Sequence, residues 1–198
     1  MTNERLAKAY ARIDALNAED TDTETVDGVA RPKAVLYGER MTAVLASLEP
    51  DASEALRIAV RGQHVARFRR PRSSEPEGRV GYLTWRKRLA EMHAELTGEA
   101  ARDAGYDDAT VERVRFLVQK KALRTDEETQ LLEDSACLVF LLYEFPEFAA
   151  RTDEAKMIDI LRKTWAKMGA KGHAAALAAK LGDREAALVA KALAPDPA

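Results

Sequence analysis

The stretch Ala136–Tyr143, ACLVFLLY, is the longest uninterrupted apolar run in the chain. It continues a helical stripe that begins with Leu131 and passes through Asp134 and Leu138. A helix that is apolar on every side is normally surrounded by other elements. We therefore expect this run to be the central helix of an all-α domain, and any polar group on its stripe to lie deep. Its eight residues are too few to cross a bilayer, which takes about 20.

Apolar residues recur at a helical period in nearly every other segment, and no period of two persists long enough to predict a strand. The sequence predicts a compact single-domain bundle of about eight helices over residues 1–198. Within it we expect an N-terminal helical pair (1–50), a core (51–150) and C-terminal helices (151–198). Pro146 is predicted to end or kink the apolar helix. Helix starts are predicted at Asp107 or Asp108, at the capping box of Thr125 and Glu128, and at Thr152 and Asp153. The acidic stretch at 18–31, AEDTDTETVDGVAR, is predicted to be a loop, and residues 195–198 a frayed tail.

The composition excludes several classes of protein. The chain has 198 residues, with 31 Lys and Arg against 33 Asp and Glu, and a formal net charge of −2. A general nucleic-acid or acidic-membrane binder would carry a basic excess, so we expect no DNA or membrane partner. The single cysteine, Cys137, excludes an internal disulfide and a multi-cysteine metal site. The first residues lack the apolar segment of a secretory signal, so a cytoplasmic location is expected.

Three polar residues fall on apolar stripes of three different predicted helices. His64 follows Val60 by four residues on a helix predicted to reach about Phe68, and His93 follows Leu89 by four. Asp134 follows Leu131 by three residues on the apolar helix. A single histidine on an apolar face is commonly a satisfied core residue. A carboxylate on the most apolar helix needs a cation, a metal ion or several donors.

Two imidazoles and a carboxylate that project inward from separate helices are typical of one shared metal site. We therefore predict His64, His93 and Asp134 as ligands of a divalent zinc, manganese or iron ion. Glu133, next to Asp134, is the candidate general base or orienting residue. The alternative is a structural pair of Asp134 with a histidine or an arginine, without metal.

Cations cluster around the same elements. Arg61, Gln63 and Arg67 flank His64 along the chain, and we predict that they bind the substrate. Further basic residues lie after Trp85, at the end of the helix before the apolar one, and on the helix of Trp165. They are Arg86, Lys87 and Arg88, Lys120 and Lys121, and Arg162 and Lys163. Such a ring of cations favours a small anionic, phosphate-bearing molecule. The alternative is that these cations lie on solvated helix faces, paired with acidic neighbours.

Several segments together carry a family resemblance. VDGVARPKAVLYGERM, RGQHVARF, GYLTWRKRLAEMH, LEDSACLVFLLYEF and IDILRKTWAKM span nearly the whole chain. In these segments the sequence resembles the bacterial family called domain of unknown function 4202. That resemblance implies a helical fold and no particular reaction.

The order of RGQH, EMHAE and LLEDSACLVFL is more distantly similar to the order of His, His-Asp and Asp motifs in HD-type metal phosphohydrolases. The similarity implies an HD-like helical fold with His64, His93 and Asp134 as metal ligands. The chain departs from the pattern at Ala94, where those enzymes have a ligating aspartate. Glu95 is no simple replacement, because two residues turn a helical side chain by about 200°. Glu133 is the candidate to supply the missing ligand oxygen. Without Glu133, the three remaining protein ligands are enough for a single metal ion but not for a two-metal centre.

Three functional hypotheses stay open at this point. The first is a metal-dependent hydrolase of a phosphate ester or nucleotide. The second is a non-catalytic helical module that binds a ligand or a partner on a degenerate HD-like scaffold, which the missing aspartate favours. The third is a structural protein whose buried polar groups only fix the packing. Sequence patterns do not decide the substrate, the metal or the oligomeric state.

Overall fold

The computed structural model describes residues 2–194, so the expected fraying of 195–198 lies outside the described residues. Contacts divide the chain into two compact units, Met1–Leu132 and Glu133–Ala198, with the boundary inside one helix. Ten α-helices occur within residues 2–194: α1 (Thr2–Asn17), α2 (Lys33–Leu48), α3 (Glu54–Arg61), α4 (Gly78–Asp103), α5 (Asp108–Val118), α6 (Glu127–Val139), α7 (Phe145–Ala150), α8 (Glu154–Trp165), α9 (Ala170–Ala178) and α10 (Asp183–Leu193).

The predicted all-α class is confirmed, with one small exception. The stretch predicted as a loop contains an antiparallel hairpin, β1 (Thr23–Val26) and β2 (Val29–Pro32). The turn between the strands is Asp27-Gly28, and both residues have positive φ, 51° and 78°. An Asp-Gly pair tolerates this conformation and suits a two-residue hairpin. The prediction of no strand was therefore wrong here, because neither strand has a buried residue and so neither shows the alternation that predicts a strand.

In the first unit the short helix α3 makes contacts on several sides. It packs against α1, α2, α4 and α5, and α4 also packs along α1 and α5. Most of its residues are buried: Ala55, Leu56, Ile58, Ala59, Val60 and Arg61. Burial on all sides fixes the orientation of its last residue and of the turn after it.

Helix starts follow local capping chemistry. Asp107 Oδ1 accepts the N–H of Thr110 at 2.8 Å, and Asp153 Oδ1 accepts that of Lys156 at 3.2 Å. Asp107 is thus one of the two caps predicted for α5, and Asp153 lies at the predicted start of α8. At α6 the carboxylate of Asp126 accepts the N–H of Thr129 at 2.9 Å. The cap is therefore one residue later than the predicted Thr125.

In the second unit the apolar run is only partly buried. Cys137, Leu138, Val139 and Leu141 are buried, whereas Leu142 and Tyr143 are exposed. The helix changes to a π-helical turn at Phe140–Glu144, and α7 follows with Pro146 in its first turn. The predicted end or kink of the helix at this proline corresponds to this change of helix type. The expectation that the run is buried on all sides was wrong at its end, because the wider turn rotates Leu142 and Tyr143 to the surface.

No helix among residues 2–194 is both long enough and apolar enough to cross a membrane.

Candidate functional site

His64 lies in a turn and not on a helix. Helix α3 ends at Arg61, and residues 62–66 form consecutive turns. The prediction that this helix reaches about Phe68 was therefore wrong. Ala66 has φ 51°, a left-handed conformation that an alanine rarely adopts. Strained backbone of this kind is most often found at functional sites, where surrounding contacts hold it.

Two side chains from other helices hold this turn. Asn17, the last residue of α1, is buried, and its Oδ1 accepts the N–H of Ala66 at 2.9 Å. The hydroxyl of Thr97 on α4 is 2.6 Å from the carbonyl of His93 and 3.2 Å from that of Gly62. A Cβ at Gly62 would lie 2.3 Å from Thr97 Oγ1. The turn therefore approaches α4 so closely that only glycine fits at this position.

The two histidines of the first unit form what we call the imidazole pair, His64 and His93. Their ring centroids are 5.7 Å apart. Tyr37 on α2 stacks against His64, with its ring 4.4 Å from that of His64 and 17° from parallel. The prediction that His64 and His93 face one another within the helical body is consistent with this geometry.

The ring of His93 has a defined tautomer. Its Nδ1 is 2.8 Å from the carbonyl oxygen of Val65. A carbonyl only accepts, so Nδ1 carries the proton and Nε2 of the neutral ring keeps its lone pair. His93 is 3% exposed, and its Nε2 is buried without a hydrogen-bond partner within the described residues. A backbone carbonyl that fixes Nδ1 is the usual second contact of a histidine whose Nε2 binds a metal.

Both imidazoles are neutral near pH 7. Burial lowers the pKa of His93 to about 4, although the hydrogen bond to Val65 opposes the shift. Burial also lowers the pKa of His64 well below its ordinary value, and the charges of Arg67, Lys120 and Arg86 act in the same direction. Neutral imidazole is the form that binds metals. These three cations lie near enough to act on the pair and would attract an anion.

We expect the first unit to lose stability on acidification. The pKa of His93 is about 4 in the fold and about 6.5 in the unfolded chain. The unfolded state therefore binds more protons between these values, and the free energy of unfolding falls as the pH falls. From pH 7 to pH 5 the loss for His93 alone is about 2 kcal/mol. Urea unfolding of metal-free protein, followed by Trp85 fluorescence in a Trp165→Phe background, measures it.

The matched control for this pH prediction is His173→Gln, which removes the third histidine of the chain from the second unit. His93→Gln should flatten the dependence on pH, whereas His173→Gln should leave it in place. An unchanged slope in His93→Gln would show that another group causes the acid sensitivity.

The predicted substrate-binding residues of the first unit have different surroundings. The guanidinium of Arg61 binds both oxygens of Asp14, at 2.8 and 2.6 Å. Gln63 is buried, with its Oε1 unpartnered within the described residues. Arg67 is exposed, and its guanidinium lies 4.9 Å from the centre of the Trp85 ring. Of the three, Arg67 is placed best to meet an anion near the imidazole pair; substrate binding by any of them stays a prediction.

Asp134 and Glu133 belong to the second unit. Asp134 is 1% exposed; its Oδ1 accepts the N–H of Gly169 at 2.7 Å and its Oδ2 that of Gly172 at 3.2 Å. These amides begin α9, where the helix dipole favours a negative charge. Glu133 is buried, with Lys167 Nζ 3.9 Å from its Oε1. The carboxylate of Asp134 therefore caps a helix; its predicted role as a metal ligand and that of Glu133 as a base stay predictions.

Within the described part of the chain, no three His, Cys, Asp or Glu side chains are grouped so that they could hold one metal ion. The imidazole pair offers two nitrogen ligands, and the orphaned Nε2 of His93 fits a metal. Sequence patterns missed Asn17, Tyr37 and Thr97, which hold or contact the pair. Lys120 was among the basic residues that the sequence singled out.

A comparison with family models gives a match to Domain of unknown function (DUF4202) over residues 7–189. The chain belongs to this family. The DUF4202 match covers α2 to α9 completely, and thus both the imidazole pair and Asp134. No curated protein and no solved structure matches the chain.

Proposed function

We propose that this DUF4202 protein binds a divalent metal ion at the imidazole pair and hydrolyses a phosphate ester or nucleotide. The observation that carries the proposal is the buried, unpartnered Nε2 of His93, with Nδ1 fixed on the carbonyl of Val65. A buried acceptor without a donor costs free energy. A bound cation would remove that cost.

Each part of the surroundings has a role in this proposal. Val65 fixes the tautomer of His93, and Tyr37 holds the ring of His64 by stacking. A divalent zinc, manganese or iron ion would supply Lewis acidity. The cations near the pair, Arg67, Lys120 and Arg86, would hold the phosphate oxygens and orient the ester bond.

A second candidate function is a non-catalytic module that binds an anionic ligand. Two residues predicted to take part in the chemistry have structural partners: Arg61 pairs with Asp14, and Asp134 accepts two backbone amides. These contacts favour the binding module, because they engage the groups that hydrolysis would use. Under this alternative the same cations bind phosphate and no bond is broken.

Metal titration calorimetry with Zn²⁺ and Mn²⁺ tests the proposal. The wild type should bind one of these ions with one site per chain, and His64→Gln and His93→Gln should weaken binding about 10- to 100-fold or more. The matched control, His173→Gln, should bind as the wild type does. Hydrolysis of a panel of phosphate esters should show the same pattern.

Equal binding by all four proteins, or no binding by any, would contradict the metal site. Thermal shifts with nucleotides then separate the two functions. Stabilisation by a nucleotide in the presence of a chelator, without turnover when metal is added, is the result expected of the binding module.

A further inference from the structure

One segment of the chain has a large excess of basic over acidic residues. Residues 67–88, which we call the basic segment, contain seven Arg, one Lys and two Glu, a net charge of +6 within a chain of net charge −2. The rest of the chain is acidic and offsets this segment, so the net charge of the whole chain is small. The expectation of no DNA partner was based on that small net charge. A cluster of positive charges creates a local electrostatic field that the net charge of the chain does not reveal.

Most of these cations reach solvent. The basic segment runs from the turn after the imidazole pair through two short 3₁₀ turns, Arg67–Arg69 and Arg72–Ser74, into the first part of α4. Six of its cationic side chains are exposed: Arg67, Arg69, Arg79, Arg86, Lys87 and Arg88. Three of these also form ion pairs at the surface, Arg69 with Glu19, Lys87 with Glu91 and Arg88 with Glu75. Arg72 instead binds the backbone carbonyls of Glu75 and Pro76 and so fixes the shape of the loop.

Aromatic rings lie between these cations. Tyr82 is 44% exposed, and the guanidinium of Arg86 lies 5.8 Å from the centre of its ring. Arg67 lies over Trp85, whose Nε1 donates to the carbonyl of Arg70 at 2.9 Å. Guanidinium groups beside an exposed ring suit a ligand that carries both phosphates and flat bases.

The basic segment is continuous with the imidazole pair. Arg67 follows His64 by three residues, and Arg86 lies on α4 seven residues before His93. Lys120 lies in the loop after α5. That loop adds Lys121 and Arg124. Two of its residues, Lys120 and Ala122, have positive φ, 54° and 55°. A ligand strand along the basic segment would therefore bring a phosphate next to the pair.

We infer that the basic segment binds a single-stranded nucleic acid, with Arg79, Arg86 and Lys87 on its phosphates and Tyr82 stacked on a base. Arginine outnumbers lysine by seven to one in the segment, which suits bidentate contact with phosphodiesters. An anionic membrane is the rival partner, because Val80 and Leu83 are 80% and 53% exposed. The cations are spread over a loop and a helix start rather than along one face of an amphipathic helix, which favours the nucleic acid.

Fluorescence anisotropy with labelled single-stranded RNA and DNA of about 20 nucleotides tests this inference. A chelator is present throughout, so the result does not depend on the proposed metal site. Arg79→Glu/Arg86→Glu/Lys87→Glu should weaken binding about tenfold or more and make the salt dependence shallower by about 2 in slope. Tyr82→Ala should weaken it roughly 5- to 150-fold, and Tyr82→Phe should not.

The matched control is Lys8→Glu/Arg12→Glu/Arg102→Glu, which changes the net charge equally. Arg102 lies at the far end of α4, about 35 Å along the helix from Arg79, and Arg12 pairs with Asp103 at that end. Circular dichroism confirms that both triple variants are folded. Equal weakening by the two variants would overturn the inference. So would absence of oligonucleotide binding by the wild type at about 50 mM salt, or binding of anionic phosphatidylserine vesicles in its place.

Discussion

Replacing Arg61 with methionine should lower the free energy of unfolding of the first unit by about 3 kcal/mol. Arg61 is 9% exposed, its guanidinium binds both oxygens of Asp14, and it lies 5.3 Å from the centre of the Tyr10 ring. Its loss leaves a partly buried carboxylate without a partner, which costs about 3–5 kcal/mol when burial is complete. Asp14 is partly exposed, so we expect the lower end of that range.

Urea unfolding followed by Trp85, with Trp165 replaced by phenylalanine, measures this loss. The double variant Arg61→Met/Asp14→Leu should recover much of the stability, because no charge is then left unpaired. Arg12→Met is the matched control: its pair with Asp103 is exposed, and its removal should change stability by less than about 1 kcal/mol. If Arg61→Met keeps its stability and instead loses affinity for phosphate esters, the predicted substrate role is right and the structural one is wrong.

Replacing Asp134 with alanine should destabilise the second unit by about 3 kcal/mol. The change removes the acceptor of two amides, those of Gly169 and Gly172, at the start of α9. Each buried donor left without an acceptor costs about 1–3 kcal/mol. Trp165 fluorescence in a Trp85→Phe background follows this unit, and Asp159→Asn is the control, because its pair with Lys163 is exposed.

Gly172 provides a second test of the same contact. A Cβ added there would lie 2.6 Å from Asp134 Cγ. Gly172→Ala should therefore be destabilising in the wild type, by about 1–3 kcal/mol. It should cost less in the Asp134→Ala background, where Cγ is gone. Additive effects in this double-mutant cycle would show that the two residues do not contact each other as described.

Local signals predicted the helices well. Asp107 and Asp153 cap α5 and α8 as expected, because capping depends on residues within one turn. The hairpin was missed although its Asp-Gly turn is a known signal, since the flanking strands bury little. The end of α3 was misplaced, because the turn after Arg61 is held by Asn17 and Thr97 rather than by its own sequence.

The candidate site was predictable only where it depends on local signals. Helical spacing placed His93 on the buried face of α4. It also put His64 on a helix, whereas His64 lies in the turn after α3. The partners of Arg61 and Asp134 lie 47 and 35 residues away along the chain. No periodic pattern encodes such contacts, because they depend on how separate helices pack. Sequence alone therefore found candidate residues and could not decide which of them have structural partners.

The π-helical turn at Phe140–Glu144 has an evolutionary consequence. Such a turn holds one residue more than an α-helical path between the same points. A relative that lacks one residue here could continue as ordinary α-helix, while Phe145 and Ala149 kept their inward direction. Loss of one residue from this stretch would therefore leave the packing of α7 in place.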